Sequence, residues 1–203
     1  MERSQQGRSF PEPAKALGAL LLALLQRETV ATLTMTEPWG TLVASGAKRI
    51  ETRSWLTTHR GPLAIHLART LPAAASALCD QQPFQTALAA AGYRRSTEHH
   101  DQSNPWQLPL GRVVAITWLE TVERLAPNAT VEELERSFGN FAPGRYAWHF
   151  STIYRLTRPI AARGSLGVWD WMPPPAFWDE VQQQWDALHA RSTTGREDML
   201  HEP

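Results

Sequence analysis

Apolar positions along the chain switch repeatedly between a period of about 3.6 residues and a period of two, and the switches mark its elements. Pro13–Arg27 is leucine-rich nearly all round and predicts a short helix. From Thr32 to Arg69 the pattern reads strand, short helix, strand, turn, strand. Thr36 is placed to cap that helix, Glu37 and Pro38 fall in its first turn, and Trp39, Leu42 and Val43 form its buried face. Gly46 stops it. After a turn at Arg60, Gly61 and Pro62, the residues Leu63, Ile65 and Leu67 alternate with Ala64, His66 and Ala68, as a strand does.

The alanine-rich stretch Leu71–Gly92 predicts one or two helices, with Pro72 at the start, Pro83 as a break and Gly92 at the end. Tyr93–Leu108 is a polar loop, and its His99, His100 and Asp101 lack the helical spacing of a metal site. Gly111–Glu123 alternates as a strand. Thr130 and Glu133 have the spacing of a capping box, predicting a helix to about Ser137. Phe138–Gly144 is a loop. Tyr146, Trp148, Phe150 and Thr152 then line one face of a strand to about Leu156, and Val168–Trp171 is a last short strand. Beyond the stiff Pro173–Pro175, the residues Phe177, Val181, Trp185 and Leu188 form the apolar stripe of a C-terminal helix.

Strands dispersed among short helices imply an α+β fold with a curled or closed sheet. The expected layout is an extension with a short apolar helix over 1–29, one domain over 30–172, and a spacer, helix and loose tail over 173–203. Residues 1–12 and 191–203 are expected to be dispensable, with a core from about Thr32 to Leu188 folding by itself. The run Ala16–Leu25 is too short to span a membrane. Arg3 and Arg8 precede it as in a signal peptide, but no small-residue cleavage site follows. The single cysteine, Cys79, excludes an intramolecular disulfide. A cytoplasmic protein without cofactor or metal is the expectation.

Charge changes the picture in one place. The chain balances 20 Lys+Arg against 20 Asp+Glu, yet between Lys48 and Arg69 five basic residues oppose only Glu51, with His59 and His66 beside them. A local excess of +4 in a neutral chain suits an anionic partner, or simply a solvated basic face. Only Lys15 and Lys48 are lysines; an ammonium can lose its proton when desolvated, whereas a guanidinium keeps it.

The run Gly46, Lys48, Glu51, Arg53 resembles the G-x-K-x-x-E-x-R signature of the ASCH (activating signal cointegrator homology) domains, members of the PUA-like superfamily of small β-barrels. Glu37, Pro38 and Trp39 before it, Ser54 and Trp55 after it, and the turn from Arg60 to Leu63 extend the resemblance, which reaches in outline to Trp171. The resemblance implies a PUA-like small β-barrel with peripheral helices that binds RNA or a modified nucleoside or nucleotide. It implies a cleft built on Lys48, Glu51 and Arg53, with Arg60 and His66 nearby and Tyr146 and Trp148 closing it. Some PUA-like relatives hydrolyse acetylated cytidine with a lysine at the position of Lys48 and a threonine where this chain has Glu51; ribonuclease activity is reported for others.

The residues themselves leave alternatives open. Lys48 and Glu51 are the catalytic candidates; Arg49, Arg53, Trp55, Arg60, His66 and Tyr146 are candidates for ligand contact. Strict alternation would turn Lys48 away from Glu51, so the two share a pocket only if Lys48 still belongs to the turn after Gly46. Glu51 is either the ion-pair partner of the surrounding arginines or an acceptor for a base's exocyclic amine. Trp55 either stacks on a base or plugs the strand end. Three functions remain: an RNA- or nucleotide-binding module, a hydrolase of modified nucleosides or RNA, and a protein-interaction module with unknown partners.

Overall fold

The computed structural model describes residues 13–97 and 103–197. Helix α1 (Pro13–Leu25) leads into strand β1 (Val30–Met35), α2 (Trp39–Ser45), β2 (Ile50–Arg53) and β3 (Gly61–Leu67). Then come α3 (Ala73–Cys79), α4 (Phe84–Ala90), the long β4 (Arg112–Arg124), α5 (Glu133–Ser137), the longer β5 (Tyr146–Ala161), β6 (Val168–Trp171) and α6 (Pro175–Glu197). None of these helices is long and apolar enough to cross a membrane.

The six strands form one mixed sheet in the order β2-β5-β4-β3-β1-β6, with β1 and β3 parallel and the other neighbours antiparallel. The closed barrel expected from the resemblance is not formed by ladders: β2 and β6 are free edges. The sheet curls nonetheless. Register shifts in the β3–β4 and β4–β5 ladders bend and twist it, and Arg53 Nη2 of β2 donates to the Thr34 carbonyl of β1, 3.2 Å away. At the start of β2, the amides of Arg49 and Ile50 are satisfied by the Glu135 carboxylate, so that stretch of edge needs no further strand.

Every residue of β3 is buried, because both faces of the sheet are covered there. On one side Leu20, Leu21 and Leu24 of α1 meet Val30, Ile116, Trp171 and the α6 residues Phe177 and Val181. On the other, Leu33, Val43, Leu63, Ile65, Trp148 and Phe150 form a second cluster. A third, around Leu42, Phe84, Leu88, Trp106 and Phe138, joins α2, α4 and the loop after α5.

Local details depart from expectation in three places. Thr36 makes no capping bond to α2; the Glu37 carboxylate instead accepts the amide and hydroxyl of Thr41. Helix α5 begins at Glu133 with no side-chain cap, so the capping box does not form. Helix α6 runs to Glu197, past the point where a loose tail was expected.

Candidate functional site

Gly46 ends α2 in a left-handed conformation (φ 81°), and its amide donates to the Val43 carbonyl. Lys48 follows inside this turn, its amide bonded to the Leu42 carbonyl, and β2 begins only at Ile50. The turn is what lets Lys48 and Glu51 face the same way, with Nζ 3.9 Å from Glu51 Oε2. Lys48 is fully buried. Its ammonium donates to the Ile50 carbonyl and to Glu135 Oε1 at 3.5 Å, and lies over the Phe141 ring at 5.6 Å. A Cβ at Gly139 would stand 3.1 Å from Phe141 Cε2 and 3.2 Å from Nζ, so any larger residue here would have to displace one of the two side chains slightly.

Glu51 sits between two cations, Lys48 and Arg53, whose Nε is 3.0 Å from Glu51 Oε1. Burial pushes the Glu51 carboxyl above the usual carboxylate range, against the opposing pull of Arg53, Lys48 and Arg145. The Glu51 side chain reaches the wall of a cavity of about 430 Å³. Arg145, Asn140, Ser137 and Thr52 are its other polar residues, and Trp39, Phe84 and Phe138 supply its rings. Arg145 is held there by an Nη2 bond to the Thr52 carbonyl at 2.8 Å. Lys48 does not line this cavity and stands behind Glu51.

The other candidates are dispersed. Tyr146 is half-buried and faces Arg53 across the β2–β5 ladder. Trp55 packs edge-on against Trp148 with centroids 4.8 Å apart, at the end of β2. Arg49 points outward, its Nη1 donating to the Ser151 carbonyl. Arg60 is exposed and donates to carbonyls of its own loop, those of Thr57 and His59.

His66 is buried away from Glu51, with one ring nitrogen at the Ala162 carbonyl and the other at Thr34 Oγ1, both at 3.2 Å. Trp169 Nε1 also donates to that hydroxyl. The bonding closes if Nε2 donates to Ala162 and the Thr34 hydroxyl donates to Nδ1, leaving the ring satisfied. Burial lowers the His66 pKa, with the Ala162 carbonyl acting in the opposite sense. His99, His100 and Asp101 lie outside the described residues. Among the described residues, no three His, Cys, Asp or Glu side chains are grouped to hold a metal ion.

Two residues at the site carry no sequence signal of their own. Glu135 is buried on α5 and binds the turn before β2 across more than 80 positions. Arg145 is one of many arginines, and it is the pairing of β5 with β2 that carries it beside Glu51.

The family model of the ASCH domain matches residues 33–157, well over half of the chain. No curated protein matches. Among solved structures, the crystal structure of ASCH from Zymomonas mobilis is similar at 14% identity over 66% of this chain and 75% of that one, with a TM-score of 0.36. A serine-to-alanine mutant of the Zymomonas protein is similar at 13% identity over 79% and 96% of the two chains, with a TM-score of 0.39. A tyrosine-to-phenylalanine mutant gives 14% identity over 80% and 99%, also with a TM-score of 0.39.

Proposed function

This chain belongs to the ASCH domain family, and on that premise we propose that it binds RNA, taking an unstacked base or a nucleotide-like ligand into the cavity beside Glu51. The observation that carries this reading is a largely buried carboxylate, its side chain 13% exposed, at the wall of a cavity that also offers a guanidinium and aromatic rings. A carboxylate accepts from exocyclic amines and ring N–H groups, a guanidinium donates to carbonyl and ring-nitrogen acceptors, and aromatic faces suit a planar base. Single-stranded RNA presents bases in this accessible form. The curl that links β2 to β1 through Arg53 supports reading the sheet as a PUA-like barrel.

Binding is favoured over hydrolysis by the setting of Lys48. Its ammonium is engaged by a carbonyl and two carboxylates and lies off the cavity wall, which suits electrostatic support of Glu51 better than attack on a ligand. The test is calorimetric titration with single-stranded RNA and a panel of free nucleosides, plain and modified. RNA and at least one nucleoside should bind the wild type, and Glu51→Gln should weaken the nucleoside at least about tenfold, the loss of a charged hydrogen bond. No binding by any probe, or release of acetate from acetylcytidine, would overturn the reading.

A further inference from the structure

The turn that sends Lys48 inward sends Arg49 outward, into a second cavity of about 570 Å³. We propose that this groove binds the phosphodiester backbone of single-stranded RNA between Arg49 and Arg155, an inference that rests on the RNA-binding reading above. The groove lies between the C-terminal ends of α2 and α4 and the middle of β5. Its floor is made of small residues, among them Gly46, Ala47, Ala90 and Ala91, which leave room for a sugar–phosphate chain. Among the described residues, no carboxylate lines it.

Both guanidiniums are exposed, and neither has an ion-pair partner among the described residues. Both are also anchored. Arg49 Nη1 donates to the Ser151 carbonyl at 2.6 Å, and Arg155 Nη1 donates to the Ala91 carbonyl at 3.2 Å. The Tyr93 ring lies 5.8 Å from the Arg155 guanidinium and helps fix its plane. A guanidinium has five N–H donors, so these bonds leave several on each arginine for phosphate oxygens.

The C-terminal end of a helix repels anions; at α4 this is offset, because Arg155 takes the Ala91 carbonyl and Arg94 takes that of Ala89. What faces the groove is two oriented guanidiniums over small, uncharged side chains. Arg155 was not recognisable in the sequence as a partner of Arg49, because the pairing depends on where α4 packs on the sheet.

Salt-dependent RNA binding tests the groove. For a single strand, each phosphate neutralised contributes about 0.7 to the slope of log affinity against log salt. Arg49→Gln and Arg155→Gln should each lower that slope by roughly 0.7, and the double variant by about 1.4. Arg155→Lys should retain it, because the charge survives. Arg95→Gln, at an arginine already paired with Asp80, should change nothing.

The double variant should still unfold in one cooperative thermal transition and keep its affinity for free nucleosides, which occupy the Glu51 cavity. An unchanged slope in the double variant, with RNA still bound by the wild type, would overturn the groove and leave the RNA reading standing. So would competition by inorganic phosphate or a nucleoside monophosphate as strong as that by the oligonucleotide. No RNA binding by the wild type would overturn both.

Discussion

Glu135 Oε2 accepts the main-chain N–H of Arg49 at 2.8 Å, so a carboxylate on α5 holds the turn that carries the motif. Its other oxygen accepts the Ile50 amide at 3.0 Å and faces Lys48 Nζ. Helix α5 runs directly into Ser137, Phe138, Gly139 and Asn140, which line the Glu51 cavity. One side chain therefore ties the cavity wall to the strand that bears Glu51.

Glu135→Ala should destabilise the protein by about 3–5 kcal/mol, since it leaves two amides unsatisfied and a buried ammonium with less compensation. Glu135→Gln keeps one carbonyl acceptor and should cost less. Urea unfolding of the two variants checks the order. Equal and small losses would mean that water or a rearranged loop replaces the carboxylate.

Helix α1 belongs to the core. Leu20, Leu21 and Leu24 are fully buried, packed in one cluster with Val30, Trp171 and Phe177, so a chain that starts at Thr32 would uncover this surface. Leu21→Ala should cost about 2–5 kcal/mol, as other buried leucine truncations do. Deleting residues 1–28 should leave a chain that no longer unfolds cooperatively. A sharp, wild-type-like transition in that deletion would show that α1 only shields surface.

What was legible in the sequence was set locally. Gly46 ends α2 because the chain must turn left-handed there, Pro72 and Pro83 precede α3 and α4, and Val168–Trp171 is a strand as its pattern indicates. The placement of Lys48 was also conditionally legible: if it belonged to the turn, it would meet Glu51, and it does. The unread parts depend on contacts between distant segments. The Thr130–Glu133 spacing is the local signal around α5, whereas Glu135 carries none, because the two amides and the ammonium that its carboxylate holds lie more than 80 positions away. Alternation in β3 was visible, but not that its two faces serve two cores, so His66 looked available for a ligand when it is internally bonded.

Glu37 gives the protein a pH dependence of its own. Burial raises its carboxyl to about 7, with the two bonds from Thr41 only partly opposing this. A carboxyl that binds its proton more tightly when folded loses stability as pH rises from its unfolded pKa, near 4.5, to its folded one. Stability should therefore fall across that window, by roughly 3 kcal/mol from this group at 1.36 kcal/mol per pH unit, and level off above it. Glu37→Gln should flatten that part of the profile. Unfolding midpoints of the two proteins from pH 4 to 8, a window set at about these bounds by the same linkage, are the check. A parallel slope in both would exonerate Glu37.

The titration of Glu51 provides the sharpest test of the ligand site. If a base's amine donates to the ionised carboxylate, affinity must fall as pH drops and Glu51 takes up a proton. Because burial raises its pKa, the fall should begin at higher pH than for an ordinary carboxylate. Lys48 and Arg53 both favour the ionised form, so removing either cation should move the midpoint of the loss further up. Lys48→Met is the suitable variant because it keeps the length of the side chain. Lys48→Arg is not, since the fully buried ammonium already crowds Gly139 and the Ile50 carbonyl, and a guanidinium there should cost stability as well as affinity. Glu51→Gln should bind weakly and without this pH dependence. A midpoint that stays in place when Lys48 becomes methionine would mean that the titrating group is not Glu51, and the cavity would then have to recognise its ligand through Arg145 and the aromatic rings instead.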